Sequence, residues 1–229
     1  MNVRKIIVFL TAMLLSLTAR ATLNLQAIYT DKQGTEVRTG GNIENAEAPL
    51  HVRFESNATD LEAGASIEWH IRNEAANISL TRYEQDIEFD FTVSGTTVVT
   101  VQVMMDGEAV ETASISVGIV ESVLQMPNAF SPNNDGWNDK YQAKSTSKSI
   151  VEFHAYIFNR WGQKLYDWTN WSDKEAGWDG TYNGRPVKDG VYYVYVKARG
   201  ADGTVYNIRR DVNLIRNYNN TEESTTNGQ

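Results

Sequence analysis

There is no cysteine among the 229 residues. Disulfides, thiolate metal centres, a cysteine nucleophile and a lipid-modified cysteine are therefore excluded. Histidine is almost as scarce: only three occur, His51, His70 and His154. They fall at scattered, outward-facing strand positions, a poor basis for a metal site or catalytic dyad. Basic residues are the minority, 21 Lys and Arg against 29 Asp and Glu. A chain of that balance is a poor phosphate binder, so nucleic acid is not an expected partner. No nucleophile elbow, phosphate loop or zinc-protease helix is present. Two small β-domains rarely provide the deep pocket a hydrolase needs, and the expectation is a protein that is not an enzyme.

Long apolar runs are also missing, with one exception at the start. Arg4 and Lys5 precede an apolar stretch from Ile6 to Leu17, and Ala19-Arg20-Ala21 supplies a small-x-small cleavage site. That is the pattern of a secretory signal peptide over residues 1–21, too short for a stable membrane span. The mature chain is expected to begin at Thr22 and to contain no transmembrane segment. Without Arg4, Lys5 and Arg20 the net charge moves from −8 to near −11. An exported chain without disulfides depends on its core alone for stability. About 208 mature residues suffice for two domains of roughly 100 each.

What is abundant is period-two alternation. Leu50, Val52 and Phe54 alternate with polar neighbours. So do Ile67, Trp69 and Ile71, then Ile87, Phe89, Phe91 and Val93, then Val99, Val101 and Val103. Asp106-Gly107 turns the chain into Ala113, Ile115, Val117 and Ile119. Each run reads as a half-buried antiparallel strand, and the set predicts an immunoglobulin-like β-sandwich over 22–120. Pro49–Phe54, Glu68-Trp69 and Thr96–Val103 resemble the PKD-type sandwich in order. Where that family carries an Asp-Phe-Gly-Asp-Gly run, this chain reads His70-Ile-Arg-Asn-Glu74.

Residues 121–125 read as a short linker. Beyond it Val151, Phe153, Ala155 and Ile157 alternate, the chain turns near Arg160–Gln163, and Leu165–Trp168 returns. Asn183-Gly184 is a strong two-residue hairpin signal. Val191–Ala198 carries aromatics on both faces, which predicts burial on two sides, and Val205–Ile215 is a final strand. Residues 217–229 are polar and predict a disordered tail. The expected fold class is all-β: two immunoglobulin-like antiparallel β-sandwich domains, 22–120 and 126–216, after a cleaved signal peptide.

Several constellations in the second half have two readings each. In Ser131–Asp139, with Gly136 at the sixth position, Ser131, Asn133, Asp135, the Trp137 carbonyl and Asp139 fall on calcium-loop positions. Position one lacks a carboxylate and position twelve is Gln142. The alternative is a loop held by Asx turns without metal. Trp161, Trp168, Trp171 and Trp178 lie within eighteen residues. Trp161 and Trp178 read as core or turn anchors, whereas Trp168 and Trp171, in the loop Asp167–Lys174, are candidates for an exposed platform for glycan or protein. Arg209, Arg210 and Arg216 form a basic cluster, either a contact for an acidic receptor or a solvated strand face.

Met126-Pro-Asn-Ala-Phe-Ser-Pro-Asn-Asn-Asp-Gly-Trp-Asn-Asp139, Phe158-Asn-Arg-Trp-Gly162, Gly177-Trp-Asp-Gly-Thr181, Asp189-Gly-Val-Tyr-Tyr193 and Leu214-Ile-Arg216 together resemble the gliding-motility-associated C-terminal domain, the type B sorting domain of type IX secretion in Bacteroidetes. The resemblance spans roughly 125–216. It implies export through the periplasm and across the outer membrane by the type IX machinery. It also implies attachment at the cell surface to an outer-membrane protein of the PorP/SprF type. Carried over by position, the candidate partner-binding residues are Asn159, Arg160, Trp161, Asp179, Asp189 and Arg216, to which the basic cluster adds Arg209 and Arg210. Because a single sandwich is the passenger, the resemblance suggests an adaptor or accessory component of type IX secretion or gliding. The alternative is a small adhesin that binds a glycan or host protein through its N-terminal sandwich. No cofactor is expected beyond the candidate calcium. The thirteen residues beyond Arg216 depart from family domains, which usually stop near that arginine.

Overall fold

The computed structural model describes residues 21–173 and 175–216. The predicted signal peptide (Ala21 apart) and the predicted tail at 217–229 lie outside the described residues. All regular elements among the described residues are β-strands, so the all-β class holds.

The first part of the chain contains β1 (Gln26–Thr30), β2 (Glu36–Thr39), β3 (Ile43–Ala46), β4 (Leu50–Glu55), β5 (Ser66–Asn73), β6 (Ile78–Arg82), β7 (Asp86–Phe91), β8 (Gly95–Met105) and β9 (Glu108–Ile119). They form two sheets, ordered β2-β1-β4-β7 and β3-β9-β8-β5-β6. The alternation fixes which residues face inward. Val52, Phe54, Trp69, Ile71, Val99, Val101, Ile115 and Val117 are buried in one core between the sheets. Phe54 packs at 6.2 Å on Phe91 and at 6.4 Å on Trp69. The Trp69 indole N–H donates to the Glu84 carbonyl at 2.9 Å, which leaves its buried donor satisfied. Asp106 and Gly107 take φ of 51° and 84°, the left-handed pair that a tight β8–β9 hairpin needs. The β3–β9 pairing is parallel and not visible in the alternation.

The second part contains β10 (Ala129–Phe130), β11 (Ile150–Phe158), β12 (Lys164–Trp168), β13 (Thr181–Tyr182), β14 (Arg185–Pro186), β15 (Gly190–Gly200) and β16 (Val205–Leu214). Five of them form one sheet, β10-β16-β15-β11-β12, and β13-β14 form a separate ribbon. One face of the sheet is covered by the long loops between the strands. Those segments bring Leu124, Met126, Phe130, Tyr141 and Trp178 onto Ala155, Ile157, Val194, Val196 and Val212. Tyr141 and Trp178 are held together by reciprocal backbone hydrogen bonds of 2.8 and 3.1 Å. The Tyr141 hydroxyl donates to the Pro127 carbonyl at 3.0 Å, and burial pushes that phenol well above its ordinary pKa. Asn183 and Gly184 take φ of 51° and 73°, as their dipeptide predicts.

The expected linker at 121–125 is built into the fold. Val123 exchanges backbone hydrogen bonds with Lys148, and Leu124 is buried. The Ser122 hydroxyl donates to Asp202 Oδ1 at 2.7 Å and lies 2.8 Å from the Tyr206 hydroxyl. Ala201 is buried against the N-terminal core, and its carbonyl accepts the Ser94 N–H at 3.0 Å. Gly200 passes so close to Ser122 that a Cβ there would fall on the serine side chain.

Candidate functional site

The family-like motifs fold as loops and turns around the C-terminal sheet. In Ser131–Asp139 the hub is Asp139. Its Oδ1 accepts the N–H groups of Asn133 and Asn134 at 3.0 and 2.7 Å, and its Oδ2 accepts the Gly136 N–H at 2.9 Å. Asp135 accepts the Trp137 N–H at 2.8 Å and the Asn133 side-chain amide at 2.9 Å. The Ser131 hydroxyl points to the Trp137 carbonyl at 3.4 Å. Asn134, Gly136 and Asn138 all have positive φ, which Asn and Gly tolerate best. The carboxylates expected to meet calcium thus bind the loop's own donors. Among the described residues no three or more His, Cys, Asp or Glu side chains are grouped to hold a metal ion.

The β11–β12 turn is an Asx turn. Asn159 Oδ1 accepts the N–H groups of Trp161 and Gln163, both at 3.0 Å, and Gly162 takes a φ of 80°. Its neighbours are thrown outward. Trp161 is 81% exposed with the Arg160 guanidinium 5.4 Å from its ring centre. The expectation that Trp161 is a core or turn anchor is corrected: the turn is anchored by Asn159, and the indole is solvated. The opposite correction applies to Trp168. It lies on β12, 6% exposed, with its ring 5.8 Å from Phe153 and 6.4 Å from Tyr141, and cannot serve as an exposed platform. Pairing with Ala155 of β11 directs it inward, a register that sequence spacing alone left open. Trp171 is half-buried, its indole N–H donating to the Ile150 carbonyl at 2.9 Å.

Four candidate partner contacts, Arg216, Asp189, Asp179 and Arg210, form bonds inside the fold. Arg216 donates to the Val187 carbonyl at 2.6 Å, to the Gly180 carbonyl at 3.0 Å and to Asp189 Oδ1 at 2.7 Å. The planar guanidinium fork suits such divergent acceptors. Gly180, with φ of 77°, leaves room for it: a Cβ there would sit 3.1 Å from the guanidinium. Asp179 caps its own turn by accepting the N–H and hydroxyl of Thr181 at 2.9 and 2.8 Å. Arg210 stays exposed but donates to the Met126 carbonyl at 3.1 Å. Arg209 faces outward, 4.8 Å from the Tyr195 ring centre.

That outward face corrects the expected two-sided burial of β15. Val191 is 45% and Tyr193 47% exposed. Cross-strand register places Phe158 opposite Tyr193 and Tyr156 opposite Tyr195. These four aromatics tile the uncovered side of the sheet, an assembly sequence reasoning missed. The signal available was the outward alternation of Tyr156 and Phe158 on one strand with Tyr193 and Tyr195 on another.

Residues 124–208 match the family described as CHU_C, type IX secretion signal domain. No curated protein matches the chain. Among solved structures, a tetra-tandem repeat from the extending region of a large adhesion protein is 13% identical, with 85% of this chain and 68% of that one covered at a TM-score of 0.28. Dimeric latent PorU from Porphyromonas gingivalis is 13% identical, with 87% of this chain but 20% of that one covered, TM-score 0.26. The FN1–FN3 domains of chicken CNTN1 are 12% identical, with 81% and 73% covered, TM-score 0.28. The part of the chain built around the Asp139 loop, the Asn159 turn and the β11–β15–β16 sheet is thus what is similar to the CHU_C type IX secretion signal domain.

Proposed function

We propose that this protein is a non-catalytic cargo of type IX secretion that remains at the cell surface, tethered through its C-terminal domain to an outer-membrane protein of the PorP/SprF type. There it acts as an adaptor or accessory component of secretion or gliding. The observation that carries the reading is the secretion signal domain at residues 124–208. Its family-like motifs are spent on closing the domain: Asp139, Asn159, Asp179 and Arg216 each bind neighbouring backbone. A self-contained folded module suits an address read by another protein. The N-terminal domain is the part offered to further partners. The adhesin alternative loses Trp168 as a platform, since that ring is buried.

The test is affinity purification from gently solubilised native membranes, with the tag placed just after Thr22. A PorP/SprF-type barrel recovered in near-equal amount supports the tether. Recovery of the protein alone, from medium or periplasm, refutes it and leaves a transit signal without attachment.

A further inference from the structure

The uncovered face of the C-terminal sheet has an unusual charge arrangement. Its centre is apolar and aromatic, with Phe158, Val191, Tyr193 and Tyr195 lining a shallow hollow that Arg209 and Asp211 border. Tyr156 extends it, lying 6.0 Å from Tyr195 and 6.4 Å from Phe158 with near-parallel rings. Toward one edge the charges are already matched. Lys164 pairs with Asp167 at 2.7 Å, His154 meets the same carboxylate at 3.0 Å, and Arg199 pairs with Glu152 at 2.5 Å. Two cations are not matched in this way. Lys197 and Arg209 converge on the Tyr195 ring, 5.5 and 4.8 Å from its centre, and among the described residues neither forms an ion pair. The hydrogen bond from Arg209, with Lys197 close by, holds the Tyr195 phenol below its ordinary pKa. A chain of net charge −8 therefore carries, on one aromatic patch, two cations with no carboxylate of their own.

We propose that this face is a docking surface for an acidic segment of a partner protein, whose carboxylates meet Lys197 and Arg209 while its apolar side chains cover Tyr156, Tyr193 and Tyr195. Tyrosine, phenylalanine and arginine are the residues enriched at protein interface centres. Opposite charge at the rim sets orientation and speeds encounter. The hollow is open and shallow, which suits a protein segment better than a small ligand that must be enclosed.

The inference does not depend on the tether reading, because its test uses the purified full chain without membranes. A displayed random peptide library would be panned on the wild-type chain, with counter-selection on the K197E/R209E double variant. Circular dichroism melts would confirm that both are folded. Enriched sequences are expected to carry an excess of Asp and Glu beside aromatic or aliphatic residues. A synthetic peptide of the consensus is expected to bind wild type at least about tenfold more tightly than R209E, with affinity falling as salt rises. Neutral or basic consensus sequences, or binding indifferent to Lys197 and Arg209, would overturn the proposal. So would polygalacturonate binding in place of peptides, which would make the face a glycan platform. Concentration-dependent dimerisation abolished by R209E would assign the face to a second copy and equally overturn it.

Discussion

Arg216 and Asp189 grip each other twice. The guanidinium meets Oδ1 at 2.7 Å, and the Arg216 backbone N–H donates to Oδ2 at 2.8 Å. The arginine that ends the family-like block is thus a clasp, tying the last strand to the β14–β15 loop through Val187 and Asp189 and to Gly180. Arg216→Ala is expected to destabilise the C-terminal domain by roughly 1.5–3 kcal/mol, the range for hydrogen bonds to a charged group. Urea denaturation followed by tryptophan fluorescence reads this directly. Asp189→Asn should shift the midpoint the same way, and the double variant should cost less than the sum of the two. An unchanged midpoint in R216A would return Arg216 to the list of free contact residues.

Gly200→Ala tests the junction. Its Cβ would collide with Ser122, which is itself bonded to Asp202 and Tyr206. Overpacking of this kind costs roughly 1–3 kcal/mol, so a thermal melt should shift downward by several degrees. Gly34→Ala is a useful comparison, since a Cβ there meets nothing within 4 Å although φ is 82°. Its smaller loss would measure backbone strain alone.

Trp168 and Trp161 make a matched pair of opposite predictions. Trp168→Ala removes a buried ring and should cost about 3–5 kcal/mol. Trp161→Ala removes a solvated one and should stay within about 0.5 kcal/mol. Chemical denaturation of both variants decides between them. Equal costs would contradict the register that turns Trp168 inward.

Asp202 gives a pH dependence. Burial raises its pKa, but hydrogen bonds from Ser122 and Thr204 together outweigh this and hold the carboxyl below its ordinary value. A depressed folded-state pKa contributes stability above the unfolded value, about 3.9, and that stability is lost as pH falls through the lower folded value. The difference in melting temperature between wild type and Asp202→Asn should be constant near neutrality and shrink below about pH 4. A gap that widens on acidification would reverse the sign of this assignment.

The Asp139 loop predicts indifference to calcium. With both Asp139 oxygens already accepting loop N–H groups, millimolar calcium should leave the melting temperature unchanged. A calcium-dependent rise that vanishes in Asp135→Ala would establish a site there.

Much of this was legible in the chain itself. Alternation around Val52, Trp69, Val101 and Phe153 identified the strands, and the Asp106-Gly107 and Asn183-Gly184 pairs located hairpins, because these are local consequences of side-chain geometry. What was not legible depends on partners distant in sequence. The inward turn of Trp168 follows from its register against Ala155. The internal role of Arg216 follows from carbonyls at Gly180 and Val187 that only the closed fold brings near. The open tyrosine face was missed because exposure depends on what covers a sheet, and alternation does not report that.

The parallel pairing of β10 with β16 has a consequence for timing. Ala129 and Phe130 lie beside Asn213 and Leu214, and the Asn128 carbonyl accepts the Asn213 N–H at 2.9 Å. The strand that opens the domain is therefore completed by the one that closes it. A contact across so long a loop forms only after the intervening chain is present. A chain clipped before β16 would lack the neighbour that Ala129 and Phe130 pair with, and the domain's first strand would be left without its hydrogen-bonding partner.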